Sequence, residues 1–296
     1  MEPPHISIVT PSYNQGEFIE ETITSVLSQG YPRLQYTIID GGSTDNTVEV
    51  IKKYADRLDY WVSEKDRGQS HAINKGLERS TGDIFNWINS DDALMPGALW
   101  TVARAWMTKP GAIISGATEL FNESGVFEVA RANGQTLRNF VRFWEAKDFS
   151  WTQQGTFLPC ADLRAIRGVR EDLKYCMDYY MMVQLLMRNL EVVYVDAPLS
   201  RFRYHAASKT TGNSKNCRLE RIPALRSMAN QPVPVEDWEW DEEQARRIVD
   251  IARHAWRTDG AFEALRYIGR ALKTSPVGTM QEIGRRAGLK LAPGES

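Results

Sequence analysis

The sequence predicts an α/β fold in which a sheet is flanked by helices and followed by a C-terminal helical extension. In the first hundred residues, short apolar runs alternate with amphipathic stretches, as in repeated β-α units. Further on, residues 238–274 carry apolar side chains at helical spacing. The 296 residues are enough for one large domain and a smaller appendage.

Four strands and three helices are predicted in this first part. The first helix follows Gly16, carries Ile19, Ile23 and Val26 at helical spacing, and ends before Gly30. The strands are predicted at 6–10, 36–39, 60–63 and 84–88, and the other two helices at 48–58 and 70–78. Later elements are a helix at 98–107, a strand at 112–117, a helix at 175–190 and a strand at 192–195.

The composition excludes several classes of protein. The 36 basic and 38 acidic side chains nearly cancel, so polyelectrolyte binding to nucleic acid is not expected. Hydrophobic residues make up 42% of the chain, which argues against global disorder. Cys160, Cys176 and Cys217 form no C-x-x-C pair, and neither an export signal nor a transmembrane run is visible. These features predict a cytoplasmic protein.

Polar and acidic residues follow each of the four strands. The strands end in Pro-Ser-Tyr-Asn at 11–14, in Asp40, in Glu-Lys-Asp at 64–66 and in Asn-Ser-Asp-Asp at 89–92. In open α/β sheets, ligands bind beyond the carboxyl ends of the strands. Clustered carboxylates repel one another, so a divalent cation or ligand hydroxyls are the expected partners. The sequence therefore predicts a binding site at this edge of the sheet.

Asp91 and Asp92 are the strongest candidates for binding a metal. Adjacent residues of an extended backbone point in opposite directions, so one is expected to bind the metal and the other a sugar hydroxyl. The alternative is a solvated turn, because Asn, Ser and Asp all favour turns.

With these residues in place, the chain resembles the family 2 inverting glycosyltransferases of the GT-A fold. The matching segments are IVTPSYNQGEFIEETITSVLSQGYP at 8–32, IIDGGSTDNT at 38–47, SEKDRGQSHAINKG at 63–76 and TGDIFNWINSDDALMPGAL at 81–99. Weaker matches are QQGTFLP at 153–159, YCMDYYMMVQLLMR at 175–188 and FRYHAASKT at 202–210. The resemblance implies a mixed nucleotide-binding sheet. It also implies sugar transfer from a nucleotide-diphosphate-sugar to a hydroxyl of a glycan or lipid-linked acceptor, in cell-surface polysaccharide or glycoconjugate synthesis.

The resemblance also implies roles for particular residues. Asp92 is expected to bind Mg²⁺ or Mn²⁺ at the diphosphate, and Asp91 the ribose or sugar. Pro11, Tyr13 and Asp40 are expected to contact the base and ribose. His205 is expected to contact the diphosphate or the metal. Lys209 lies in a loop that is expected to close over the donor. At residue 41, a glycine replaces a second acid that often reads the base.

Asp178 matches the position of the family's catalytic base. It lies in an apolar run, where burying a carboxylate without a partner or purpose is costly. Capping of the following helix is the structural alternative. Tyr180 stands where the family often has a further acid.

Arg201, Arg203 and His205 alternate on one face of an extended segment. They are expected either to approach a diphosphate or to lie on a solvated edge strand. Acceptor contacts are expected from 118–175, where four residues could bind a saccharide or belong to core and loop: Trp144, Trp151, Gln153 and Gln154.

Two other functions fit an acidic edge of a sheet. A nucleotidyltransferase that makes nucleotide-sugars should have a basic, Gly-rich loop after the first strand, where this chain has PSYNQG. A non-catalytic scaffold that binds nucleotide-sugars should have lost some of the acids, but all are present. A dinucleotide-dependent dehydrogenase is not expected, because it would need G-x-G-x-x-G at the first turn and this chain lacks that motif there.

Three regions are predicted along the chain. The catalytic domain spans 1–212, with a donor half at 1–100 and an acceptor half at 101–212; a loop or linker spans 213–236, and a helical extension 237–296. Basic residues predominate at 266–290. They are expected to contact an anionic membrane, or to pack on the catalytic domain or pair two subunits as a homodimer.

Overall fold

The computed structural model describes residues 2–205, 208, 214–228 and 233–286. The chain divides into two compact units, Met1–Gly212 and Asn213–Ser296.

The described part of the first unit contains a nine-stranded mixed sheet, as predicted. Its strands are β1 (Ile6–Ser12), β2 (Leu34–Asp40), β3 (Tyr60–Ser63), β4 (Ile84–Trp87), β5 (Ala93–Leu94), β6 (Ile113–Asn122), β7 (Gly125–Ala130), β8 (Thr156–Pro159) and β9 (Val192–Arg203). Their order is β3-β2-β1-β4-β8-β6-β9-β5, with β7 paired to β6. β1 to β4 are parallel, so their carboxyl ends share one edge.

Helices cover this sheet. They are α1 (Ile19–Leu27), α2 (Thr47–Lys53), α3 (Gln69–Arg79), α4 (Ala98–Thr108), α5 (Leu137–Val141), α6 (Cys160–Ala165) and α7 (Met177–Met187). Ile19, Ile23 and Val26 of α1 are buried against strand residues such as Ile6 and Ile38 in the main core. The helical periodicity of the sequence therefore identified the face that packs on the sheet.

Several helices and strands have other bounds in the structure than the sequence predicted. The second predicted helix ends at Lys53, and Ala55–Arg57 forms a separate 3₁₀ turn. The last strand does not stop at 195 but continues to Arg203 and pairs along most of β6. β7 and α5 lie in the stretch that the sequence left unassigned; five of the six residues of β7 are exposed, so β7 lacks the alternation that marks a half-buried strand.

The second unit is helical. It contains α8 (Ser214–Arg226), α9 (Asp237–Thr258), α10 (Ala261–Thr274) and α11 (Pro276–Arg286). Ala245, Ile248 and Val249 of α9 form its core with Ala271 of α10. The stretch predicted as a loop or linker includes α8, although α9 and α10 are the two helices that the apolar spacing predicted. No helix in the described residues is both long and apolar enough to cross a membrane.

Candidate active site

The ends of the parallel strands bring the predicted polar residues to one edge of the sheet. In the register of the sheet, Ser12 pairs with Asp40 and Asp40 pairs with Ser63. Asn89, after β4, accepts a hydrogen bond from Gln69 Nε2 at 2.7 Å, which ties the start of α3 to the same edge. The edge predicted from the sequence is therefore one continuous surface.

Asp40 is fully buried at the end of β2, and its carboxylate accepts four hydrogen bonds. Ser63 Oγ, Gly42 N and Ser43 N donate to Oδ2 at 2.6, 3.1 and 2.9 Å, and Ser43 Oγ donates to Oδ1 at 2.5 Å. These bonds stabilise the loop that begins at Gly41. Beside it, Ser12 Oγ is buried and has no hydrogen-bond partner among the described residues.

Gly41 leaves room for another carboxylate. A Cβ at residue 41 would lie 2.9 Å from Asp66 Oδ2 and 3.2 Å from Asp66 Oδ1. Asp66 Oδ1 is held there by Gly68 N, which donates at 2.8 Å. The acid that the sequence lacks at residue 41 is therefore replaced in space by the side chain of Asp66.

The loop after β1 is joined to the loop after β2. Asn14 has a left-handed backbone with φ of 51°, and its Oδ1 accepts from Thr44 N at 2.8 Å while its N–H donates to Ser43 Oγ at 2.7 Å. This arrangement leaves Tyr13 59% exposed at the surface. Pro11 is buried within β1, in register with Ile39. An exposed aromatic ring on a fixed loop is well suited to stacking on a planar ligand.

The carboxylate of Asp92 is buried and accepts three hydrogen bonds from the protein. Asp92 is 1% exposed. Its Oδ2 accepts from Asn89 Nδ2 at 3.0 Å and Gln154 Nε2 at 2.9 Å, and its Oδ1 from Arg203 N at 3.1 Å. Burial and the neighbouring charge of Asp91 raise the pKa of the Asp92 carboxyl well above its usual range, although these hydrogen bonds act in the opposite direction.

Asp91 has different surroundings. Its Oδ2 lies 3.0 Å from His205 Nε2, and both side chains keep some exposure, 18% and 16%. The His205 ring packs against Phe18, with the ring centroids 4.7 Å apart. The sequence-predicted pair thus separates into a buried Asp92 and a more accessible Asp91 beside an imidazole.

The two arginines of β9 are paired with acids. Arg203 binds Glu21 and donates from Nε to the backbone oxygen of Asp91 at 3.1 Å. Arg201 lies 3.4 Å from Glu119 and 3.8 Å from Glu21. The prediction of a solvated edge strand is wrong at this point, because Arg201 is in register with β5 on one side and β6 on the other.

Asp178 follows a segment that packs against the start of α3. Arg67 binds Glu171 at 2.7 Å, and Ser70 Oγ is 3.5 Å from the backbone oxygen of Leu173, so this segment lies against the start of α3. Asp178 is in the first turn of α7, half-buried, and its Oδ1 accepts from Tyr179 N at 2.7 Å. It therefore satisfies a helix N–H, while Cys176 is the capping residue. Tyr180 is buried, with Arg170 over its ring.

Aromatic rings surround the residue after Asp178. Tyr179 packs against Phe140, Phe143 and Trp151, with centroid distances of 4.8, 6.3 and 6.0 Å. Trp151 Nε1 is buried with no hydrogen-bond partner among the described residues.

Both glutamines proposed for acceptor contacts have core positions instead. Gln153 donates to Asn86 Oδ1 and to the backbone oxygen of Trp87, and Gln154 binds Asp92. The sequence did not reveal that Gln154 donates a hydrogen bond to Asp92, because 62 residues separate the two.

Two further predictions concern Lys209 and the metal. Lys209 lies outside the described residues. Within the described part, no group of three or more His, Cys, Asp or Glu side chains forms a ready metal site.

The mixed sheet with its flanking helices is the GT-A glycosyltransferase fold that the sequence predicted. Residues 7–167 match the family described as glycosyl transferase family 2, and the chain belongs to that family.

Relatives and solved structures agree with this assignment. The chain is 38% identical over 92 residues, 30% of its length, to TuaG of Bacillus subtilis, whose name assigns it to teichuronic acid biosynthesis. It is 32% identical over 93 residues, again 30% of its length, to the glycosyltransferase AglE of Haloferax volcanii. These matches cover 36% and 31% of the two relatives, so the chain spans about a third of their length.

The fold is similar to that of S. aureus TarS 1-349 in complex with UDP-GlcNAc. The TM-score is 0.66 at 16% identity, over 96% of this chain and 92% of that one. It is also similar to the mannosyltransferase PcManGT of Pyrobaculum calidifontis in complex with GDP-Man and Mn²⁺. That comparison has a TM-score of 0.53 at 19% identity, over 97% and 89% of the two chains.

Proposed function

We propose that this protein is a metal-dependent inverting glycosyltransferase that transfers a sugar from a nucleotide-diphosphate-sugar to a hydroxyl of a glycan or lipid-linked acceptor. The observation that carries the proposal is the pairing of Asp91 with His205, at the same edge of the sheet as Asp40 and Asp66. The name of TuaG supports an acceptor in cell-surface polysaccharide synthesis.

The donor lies along the ends of β1, β2 and β4 in this proposal. Tyr13 stacks on the base, and the Ser12 hydroxyl, which lacks a described partner, binds the ribose beside Asp40. The Asp66 carboxylate reads the edge of the base from the space that Gly41 leaves open. A carboxylate accepts from the N–H of uracil or guanine, whereas cytosine has a ring acceptor at that position. We therefore expect a uridine, thymidine or guanosine donor.

Asp91 and His205 are the residues that would hold Mg²⁺ or Mn²⁺ at the diphosphate. Carboxylate and imidazole groups both suit Mn²⁺, and the diphosphate and water would complete the coordination. A divalent cation bound there neutralises the charge that develops on the leaving diphosphate. Asp92 is buried and bound to three donors, so its role in the proposal is to fix the loop. The proposal thus moves the metal-binding role that the resemblance implied for Asp92 to Asp91.

Asp178 acts as the base in the transfer. Its carboxylate takes the proton of the acceptor hydroxyl, the hydroxyl oxygen forms a bond to the anomeric carbon, and the bond from that carbon to the diphosphate oxygen breaks. The attack comes from the face opposite the leaving group, so the configuration inverts. Half-burial at the start of α7 keeps Asp178 accessible, and the rings around Tyr179 provide an apolar wall for a saccharide.

A thermal-shift panel tests the donor site. The panel uses UDP, GDP, dTDP and CDP and their sugar conjugates, each with Mn²⁺ and with EDTA. We expect a metal-dependent rise in Tm for one of these nucleotides, with UDP, dTDP or GDP favoured over CDP. If none of them shifts the Tm, the donor site proposed here is wrong.

Asp178→Asn tests the catalytic step separately. We expect transfer to fall by about a thousandfold or more, since general-base catalysis contributes about 10²–10⁴-fold, while the thermal shift with nucleotide stays at the wild-type value. Asp172→Asn, an exposed acid six residues earlier, is the matched control. Wild-type turnover in Asp178→Asn would reject Asp178 as the base. Formation of nucleotide-sugar from nucleoside triphosphate and sugar phosphate would instead support the nucleotidyltransferase.

A further inference from the structure

We infer that the outward face of α10, together with the end of α9, docks on an anionic lipid surface. This is a binding surface in the second unit and is independent of the donor site. It rests on three observations: the exposed apolar side chains of α10, two cations of α10 that form no ion pair among the described residues, and the separation of charge along α9.

Large apolar side chains of α10 point away from the core. Phe262, Leu265 and Leu272 are 77%, 62% and 37% exposed, and their spacing places them along one stripe of the helix. The inward positions of α10 include two buried alanines, Ala264 and Ala271, instead. A helix of a globular protein ordinarily buries its large apolar residues, so this stripe is an unusual exposed apolar surface of the second unit.

A row of cations runs beside that stripe. Arg266, Arg270 and Lys273 recur at helical spacing on the adjacent part of the helix surface. Arg266 pairs with Glu263 at 2.8 Å, whereas Arg270 and Lys273 form no ion pair with any residue that the structure describes. The face therefore combines apolar contact area with positive charge.

The end of α9 also carries exposed aromatic and basic side chains. Trp256, within about one helical turn of Gly260, is 60% exposed, and Arg253 and Arg257 are exposed near it. The acids of α9 are concentrated at its other end: Asp237, Glu239, Asp241, Glu242 and Glu243. The hairpin formed by α9 and α10 thus has a basic, aromatic tip at one end and an acidic start at the other.

An anionic lipid surface fits this face better than a second copy of the chain. A two-fold pair through α10 would bring the same row of cations face to face, at a cost in free energy. Anionic headgroups neutralise Arg270 and Lys273, and the acyl boundary accepts Phe262, Leu265 and Trp256. Apolar and aromatic residues on one side and Lys or Arg on the other are typical of helices that lie in the interface of a membrane.

Co-sedimentation of the full chain with vesicles tests the inference. We expect binding to phosphatidylcholine vesicles that contain phosphatidylglycerol at low salt, weaker binding at high salt, and little binding to pure phosphatidylcholine. Arg270→Gln with Lys273→Gln should lower the partition coefficient about 25-fold, at about fivefold for each charge near the surface. Phe262→Ser with Leu265→Ser should lower it at least about tenfold.

Matched variants on the first unit provide the controls. Lys52→Gln with Lys53→Gln removes two exposed cations from α2, and Val126→Ser with Val129→Ser removes two exposed apolar side chains from β7. Both pairs should bind vesicles like the wild type. A full chain that does not bind anionic vesicles at low salt would overturn the inference. So would a concentration-dependent dimer, seen by light scattering, that Phe262→Ser with Leu265→Ser dissolves, since the face would then belong to a second copy. Nucleotide-induced thermal shifts in the same variants keep this result separate from the test of the donor site.

Discussion

Substitution of Gly41 by alanine is a direct test of the proposed role of Asp66. The new Cβ would lie 2.9 Å from Asp66 Oδ2 and 3.1 Å from its Cγ, closer than carbon and oxygen atoms tolerate. Gly41 has no left-handed backbone, so alanine fits its backbone conformation without strain. The methyl group should therefore move the Asp66 carboxylate and leave the hydrogen bonds of Asp40 in place.

The expected magnitude follows from the bond that is lost. A hydrogen bond to a charged group contributes about 1.5–3 kcal/mol. At about 1.4 kcal/mol for each factor of ten, Kd for the preferred nucleotide should rise about 10- to 150-fold. Asp66→Asn keeps an oxygen acceptor but removes the charge, and it should give a smaller rise together with weaker discrimination against CDP.

Isothermal titration with nucleoside diphosphates and Mn²⁺ measures these changes without an acceptor substrate. Gly269→Ala is the matched control, because its new Cβ meets no atom within 4 Å. Thermal unfolding without ligand should be nearly unchanged in Gly41→Ala. Wild-type Kd values in both Gly41→Ala and Asp66→Asn would refute the assignment of Asp66 to the base.

Two further predictions separate the neighbouring carboxylates. Asp91→Asn should reduce nucleotide affinity in Mn²⁺ to the value measured in EDTA, because the metal loses a carboxylate ligand; a full metal response in this variant, measured by titration, would exclude Asp91 as that ligand. Asp92→Ala leaves three donors without an acceptor, and at about 1 kcal/mol or more for each buried donor it should cost at least about 3 kcal/mol. By calorimetry this corresponds to a Tm lower by about 6–12 °C for a unit of this size, and an unchanged Tm would contradict the structural role of Asp92.

The parallel part of the sheet was predictable from local sequence. The predicted strand at 60–63 is confirmed residue for residue, and those at 6–10, 36–39 and 84–88 differ from β1, β2 and β4 by at most two residues at either end. Buried parallel strands appear as short apolar runs, and the polar residues that follow them mark the edge where ligands bind. These signals depend on neighbouring residues only, so they are visible without the fold.

The different surroundings of Asp91 and Asp92 were not predictable from local sequence. Alternation along an extended backbone indicated that Asp91 and Asp92 differ, but it did not indicate which of them is buried. That depends on Gln154 and on the backbone of Arg203, which are 62 and 111 residues away from Asp92. Likewise, Asp66 reaches the space beside Gly41 only because β2 and β3 are neighbours in the sheet.

Asp92 explains why two acids follow β4. Its carboxylate connects β9 and the loop before β8, and its backbone oxygen accepts from Thr22 Oγ of α1 at 2.6 Å. Segments from the first hundred residues and from the following hundred are thereby joined at one buried residue. Because Arg203 also holds the backbone of Asp91, and His205 follows two residues later, the same connections set the distance between Asp91 and His205. In the proposed function, a carboxylate and an imidazole fixed in this way would hold a divalent cation with little reorganisation, and that cation would stabilise the charge on the leaving diphosphate.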